Sequence, residues 1–197
     1  MKISLKLFTP FLIILLLTNC EEKRNADNNE LLNLSEQLAS NLEVTFTDIG
    51  LSANSIKWME LNRRIEYFLL SNSSIKKPSI EEYYRLFKGD GGLENNYNCL
   101  IQVVPEVEVV IPPSLIWSIL GNYKELSTNS ELSNDIKDNL TEAYQTLSNL
   151  YVNLDNEEFN TQAVLNALES FDSSLFESHI VHRQIFIQLF LIYLSNQ

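Results

Sequence analysis

His179 and His182 lie three residues apart in His179-Ile180-Val181-His182, and they are the only two histidines in the chain. On a helix that spacing sets both imidazoles on one side, where they could share a metal ion. Helical metalloproteases instead place their histidines four apart with an intervening glutamate as general base. Here the spacing is wrong and the residues between are apolar, so the pair reads as structural or surface histidine, with no metal assigned. Asp90-Gly91-Gly92-Leu93-Glu94-Asn95-Asn96 stacks oxygen ligands after a turn, as a calcium loop does. The template fails at its sixth position, Asn95 where glycine is required, and at its twelfth, Ile101 where a bidentate glutamate is required. Carboxylates recur in pairs at Glu81-Glu82, Glu106/Glu108 and Glu157-Glu158, but none stands with a nucleophile and an orienting group, so no catalytic set is assigned. No phosphate-cradling glycine motif, nucleophile elbow or zinc pattern is present, and no cofactor is implied.

Charge carries more information than motif. Fourteen Lys+Arg against 26 Asp+Glu give a net charge of −12 over 197 residues. Such acidity opposes a phosphate backbone, which is bound by cations, and no nucleic-acid partner is expected. The imbalance concentrates between Asn122 and His179, where Lys124 and Lys137 face eleven acids. A solvated helix surface accounts for this in the ordinary way; the sharper reading is a face that selects a basic protein partner. Tyr83, Tyr84 and Tyr97 around the glycine-rich turn form a candidate aromatic contact patch, with at least one of the first two needed by the core.

The amino terminus specifies an address. Lys2 and Lys6 precede the apolar run Phe11 to Leu17, which is shorter than the roughly 20 residues of a membrane span and has the form of a secretory signal. Leu17-Thr18-Asn19-Cys20 then leads abruptly into the polar stretch Glu21 to Asn29. These four residues, with the signal before them, resemble the lipobox of bacterial lipoproteins, and Asn19, where small residues are commoner, resembles the looser spirochaete form. The resemblance implies cleavage before Cys20, lipidation of Cys20, and attachment to a bacterial cell envelope, the outer membrane favoured, through that lipid. Cys99 is then the only remaining thiol, and it is expected to pack as a small apolar residue.

Behind the anchor, residues 20–29 read as a flexible tether and 30–197 as a single helical domain. Leu31, Leu34, Leu38 and Leu42 mark a first helical stripe, and Val44 to Thr47 an extended link. Ser55 to Leu70 predicts a second helix with Ile56, Met59, Ile65, Phe68 and Leu69 inward and Arg63, Arg64 and Glu66 wet. Ser79 with Glu82, Thr128 with Glu131, and Asp155 with Glu158 have the spacing of helix-opening boxes. Gly89 to Gly92 mark a sharp turn. Ile101 to Ile111 alternates as an extended segment, with Pro105 placing it at an edge or bend. Leu115 to Leu126 returns to helical spacing with Ile116, Ile119, Leu120 and Tyr123, and Ile136, Leu140, Tyr144, Leu147 and Tyr151 keep register along a long helix from Thr128 to about Asn153. The final segment, Ser174 to Ser195, predicts one helix buried almost all round, with a thin wet stripe through Gln184, Gln188 and Ser195. The fold expected is mainly α, an irregular bundle of about six helices with one short extended segment near 101–111. The function expected is a non-catalytic interaction module; a small envelope hydrolase using Glu or His, or a structural accessory of the envelope, are the alternatives.

Overall fold

The computed structural model describes residues 29–42, 58–89, 100, 113–156 and 159–195. Cys20, Ile56, Cys99, Tyr97, the Asp90-to-Asn96 loop, the Val44-to-Thr47 link, the extended segment near 101–111 with Glu106 and Glu108, and the Glu157-Glu158 pair lie outside them. Every regular element among the described residues is helical: α1 (29–42), α2 (Trp58–Ser71), α3 (Ile80–Phe87), α4 (Pro113–Ser127), α5 (Asn134–Asn156), α6 (Thr161–Ser170), α7 (Ser173–Ser178), a single 3-10 turn (Ile180–His182) and α8 (Gln184–Ser195). The mainly helical architecture is thus the observed one.

The apolar stripes do what their spacing predicts. Leu31, Leu34, Leu38 and Leu42 of α1 are all buried, as are Met59, Ile65, Phe68 and Leu69 of α2 and Ile136, Leu140 and Leu147 of α5. These side chains join those of α3, α4, α6 and α7 in one continuous cluster. At its centre lies α8, with Ile185, Phe186, Ile187, Leu189, Phe190 and Leu191 all buried. Its rings meet neighbouring rings edge-on: Phe186 with Phe171 at 5.8 Å between centroids, and Phe87 with Phe190 at 5.9 Å. That is the preferred geometry for aromatic pairs. No described helix is long and apolar enough to cross a membrane.

Element ends depart from the expectation in four places, each for a local reason. Thr128 closes α4 rather than opening α5: its Oγ1 donates to the Glu125 carbonyl at 2.8 Å, and α5 begins only at Asn134. Asp155 belongs to the last turn of α5, and α6 is opened by Asn160, whose side chain accepts from the Ala163 amide at 3.2 Å. Ser79 stands at the start of α3 as expected but makes no capping hydrogen bond with its side chain. Glu82 reaches instead to the Lys76 amide at 2.7 Å and to Arg85 at 2.8 Å. Last, the single helix expected over Ser174 to Ser195 is broken. Asp172 caps α7, and His179 (φ −155°) leaves helical geometry to cap the 3-10 turn through its Nδ1.

Two turns rest on left-handed backbone. Gly89 (φ +79°) ends α3, at the expected glycine-rich turn, where a side chain would be strained. Ser73 (φ +60°) ends α2, and the Ser74 amide folds back onto the Leu69 carbonyl at 2.9 Å.

Candidate functional site

The break at His179 brings the chain's rarest polar side chains inside. His182 is 1% exposed, and it joins three elements. Its Nε2 lies 2.7 Å from Ser35 Oγ of α1, and its Nδ1 lies 2.5 Å from the Tyr123 hydroxyl of α4. The hydrogen count fixes the direction of this chain. Ser35 has one hydroxyl proton and gives it to the Leu31 carbonyl at 2.7 Å, so Nε2 must donate to Ser35. Nδ1 is left as the acceptor for Tyr123. Every proton then has an acceptor, and the imidazole is neutral. Burial first, then the neighbouring His179 and Arg183, hold His182 well below the ordinary histidine range. Burial likewise pushes the Tyr123 phenol upward, so it stays a donor.

The next residue, Arg183, is also buried. Its Nε and Nη2 donate to the two oxygens of Glu66 on α2, at 2.6 Å and 2.9 Å, and its Nη1 donates to the Phe176 carbonyl at 2.6 Å. The Tyr83 hydroxyl of α3 donates to Glu66 Oε1 at 2.7 Å. One turn earlier on α2, Asn62 Oδ1 accepts from Gln188 Nε2 of α8 at 3.0 Å. A polar seam therefore runs between α2 and the 3-10 turn and α8, through the middle of the apolar cluster. Two expectations are overturned here. Glu66 is not on the wet side of α2 but is 8% exposed and ion-paired, and Gln184 and Gln188 are buried rather than forming a wet stripe on α8. Among the described side chains of α8 the exposed one is Ile192, and that of Ser195 lies outside them.

The seam has the parts of chemistry without its access. Ser35 and His182 are within the distance of a nucleophile and its base. Yet Ser35 is 0% exposed, its proton is turned to its own helix, and a tyrosine rather than a carboxylate meets the far nitrogen. Both ring nitrogens of His182 are engaged, and His179 uses Nδ1 on the Val181 amide, so the two histidines do not converge on a common ligand position. Among the described residues, no three His, Cys, Asp or Glu side chains are placed to hold one metal ion.

The outer face of α4 and α5 is the opposite kind of place. On α5 the residues Asp135, Asp138, Glu142, Gln145, Asn149 and Val152 recur at alternating three- and four-residue steps and are all exposed. Val152 is 49% exposed at one end of that stripe. Beside it on α4, Trp117 is 48% exposed while its ring meets Tyr151 edge-on at 5.2 Å. Of the tyrosines proposed near the glycine-rich turn, Tyr83 is wholly core and Tyr84 is half-buried, with Lys88 over its ring at 4.5 Å. Of the acids between 122 and 179, Glu125, Glu131, Asp135, Asp138, Glu142, Glu169 and Glu177 are exposed, and Trp117 is an exposed aromatic side chain beside the stripe. The sequence reading missed Trp117; its place outside the Ile119, Leu120 and Tyr123 stripe was the available signal.

No family model, curated protein or solved structure matches the chain.

Proposed function

We propose that the protein is a lipid-anchored, non-catalytic interaction module of a bacterial envelope, held by the lipid on Cys20 and docking a basic protein partner on the outer face of α4 and α5. The observation that carries the reading is the acidic stripe of α5. Asp135 in the first turn favours the positive end of the helix dipole, an effect confined to that turn. Asp138 and Glu142 lie beyond its reach. They are like charges at i and i+4, an arrangement that costs an isolated helix a few tenths of a kcal/mol. The helix gains nothing from them, and a cation-rich partner does. Trp117 and Val152 at the far end of the face supply the apolar anchor such a contact needs.

The reading is tested with residues 27–197 as bait against envelope extract. A partner that is lost with Trp117→Ser and with the combined Asp135→Asn, Asp138→Asn and Glu142→Gln variant supports it. Association should also slow as the Debye length shrinks from about 10 Å at 0.1 M salt to about 3 Å at 1 M. A partner captured equally by all variants places the contact elsewhere. The anchor is tested separately: Cys20→Ala should abolish fatty-acid incorporation, and Cys99→Ala should leave it intact.

A further inference from the structure

We propose that His182 is a latch for α1, holding that helix to the body of the protein near neutral pH and releasing it on acidification.

The geometry is that of a contact which works in one protonation state only. With His182 neutral, the sequence Tyr123 O–H to Nδ1, Nε2–H to Ser35 and Ser35 O–H to Leu31 uses every proton across α4, the 3-10 turn and α1. Adding a proton to Nδ1 turns that nitrogen into a donor facing a hydroxyl that was itself donating. The Tyr123 proton must then leave its acceptor in a place from which water is excluded. Among the described residues the new charge also meets no counter-ion. Each element packed round the imidazole offers the wrong group: Ser35 from α1, Tyr123 from α4, the Ser178 hydroxyl beyond Ser35 at 3.5 Å, and His179 and Arg183 from its own segment. The nearest carboxylate in the seam, Glu66 of α2, is already taken by both guanidinium nitrogens of Arg183 and by Tyr83. Glu36 of α1 is exposed, and with Glu66 and Arg63 it acts on His179.

Relief comes from opening one of the three elements, and two of them are anchored elsewhere in the core. The 3-10 turn is continuous with α8 at the centre of the core, and α4 is packed along α5. Among the described residues, α1 is joined to other elements by the Ser35 contacts with His182 and Ser178 and by a hydrogen bond from the Ser133 amide to Glu30 Oε1 at 3.1 Å. Its leucine stripe and a further interaction at Asn41 hold it as well. Undocking it brings water to His182, where the proton is accommodated.

The sign is fixed by linkage. A histidine held below its ordinary value when docked favours docking above about pH 6.5 and loses that contribution as pH falls through it. Between pH 7.5 and pH 5.0 the opening constant of α1 should rise by about thirty-fold if the docked imidazole stays neutral throughout.

Amide hydrogen exchange of the full chain at the two pH values, corrected for the intrinsic pH dependence of exchange, reads this directly. Protection across 31–42 should fall by about that factor, with Ile185 to Leu191 unchanged. His179→Asn, which keeps an acceptor for the Val181 amide, should behave as the parent. His182→Gln should remove the pH dependence. A loss of protection shared equally by α1 and α8, no loss at all, or a loss that disappears with His179→Asn overturns the proposal. Should His182→Gln fail to fold, the parent and His179→Asn patterns decide it alone, because the chain has no other histidine.

Discussion

The seam between α2 and α8 and the outer face of α5 use the same residue types for opposite ends. Glu66 and Glu142 are both glutamates on amphipathic helices of this chain, yet Glu66 is buried against a guanidinium and Glu142 stands in water beside another acid. What separates them is what each would leave behind. Without Arg183, Glu66 is an unpaired charge in an apolar interior, which a fold cannot carry. Without Asp138, Glu142 loses a neighbour that was repelling it. Polar groups in the seam are there to be satisfied by the protein itself. Those on the face remain available.

The largest effects should come from breaking the seam. Arg183→Ala leaves the Glu66 carboxylate and the Phe176 carbonyl short of partners, and about 3–5 kcal/mol of stability should go with it. Urea unfolding of the parent and variant measures this. Removing both charges with Glu66→Leu and Arg183→Met should cost clearly less than either single change, since the penalty is for the orphaned charge more than for the lost attraction. If the double variant is as unstable as the sum of the singles, the two residues are not coupled in the fold, and the contrast between seam and face fails.

A middle-sized effect should follow from the histidine chain. Ser35→Ala leaves Nε2–H without an acceptor and should cost about 1–3 kcal/mol. The same variant bears on chemistry. Buried and turned to Leu31, Ser35 should not react with a fluorophosphonate under native conditions; stoichiometric labelling that vanishes with Ser35→Ala would revive the hydrolase alternative.

The seam also marks where the sequence stops being readable. Helices α1, α2, α4 and α5 and their inner stripes followed from three- and four-residue spacing, because apolar burial is the term that spacing reports. Glu66, Gln184 and Gln188 were assigned to water because their letters are polar, and that inference holds only when a partner is lacking. A trace was present: Met59, Asn62, Glu66 and Leu69 step by three, four and three along one line of α2, so the polar pair sits inside the apolar stripe. The partners Arg183 and Gln188 lie more than a hundred residues away, and no local pattern points to them. The break at His179 was invisible for a similar reason. Ser174 to Ser195 is helical in composition throughout, and what ends α7 is a side chain turning back to cap the next turn.

On the face, truncation should be mild for stability. Trp117→Ser removes a side chain that is half in water and meets Tyr151 edge-on, and it should lower the unfolding free energy by about 1–2 kcal/mol. It should nevertheless abolish partner capture. A loss of several kcal/mol would show the indole to be structural and shift the docking surface away from α4.

The smallest expected change is also the most discriminating, because its sign differs between the two readings of α5. Glu142→Lys replaces a repulsive i, i+4 contact with an attractive one, the acid standing N-terminal to the lysine as helices prefer. If the stripe is only a solvated surface, the variant is simply a better helix. If the stripe is a docking site, the same change stabilises the free protein while setting a cation against a basic partner. Relief of the repulsion and gain of the pair together predict a stabilisation of about 0.4–1 kcal/mol, a rise of about 1–4 °C in Tm for a domain of this size. Raising salt should erase that gain, since exposed charges are screened. Partner association should slow at the same time, most at low salt where steering is strongest. A variant that is more stable and binds as the parent does would leave the acids without a role in binding. A variant that is less stable would mean Glu142 is held by a cation within the protein, and the stripe would then resemble the seam.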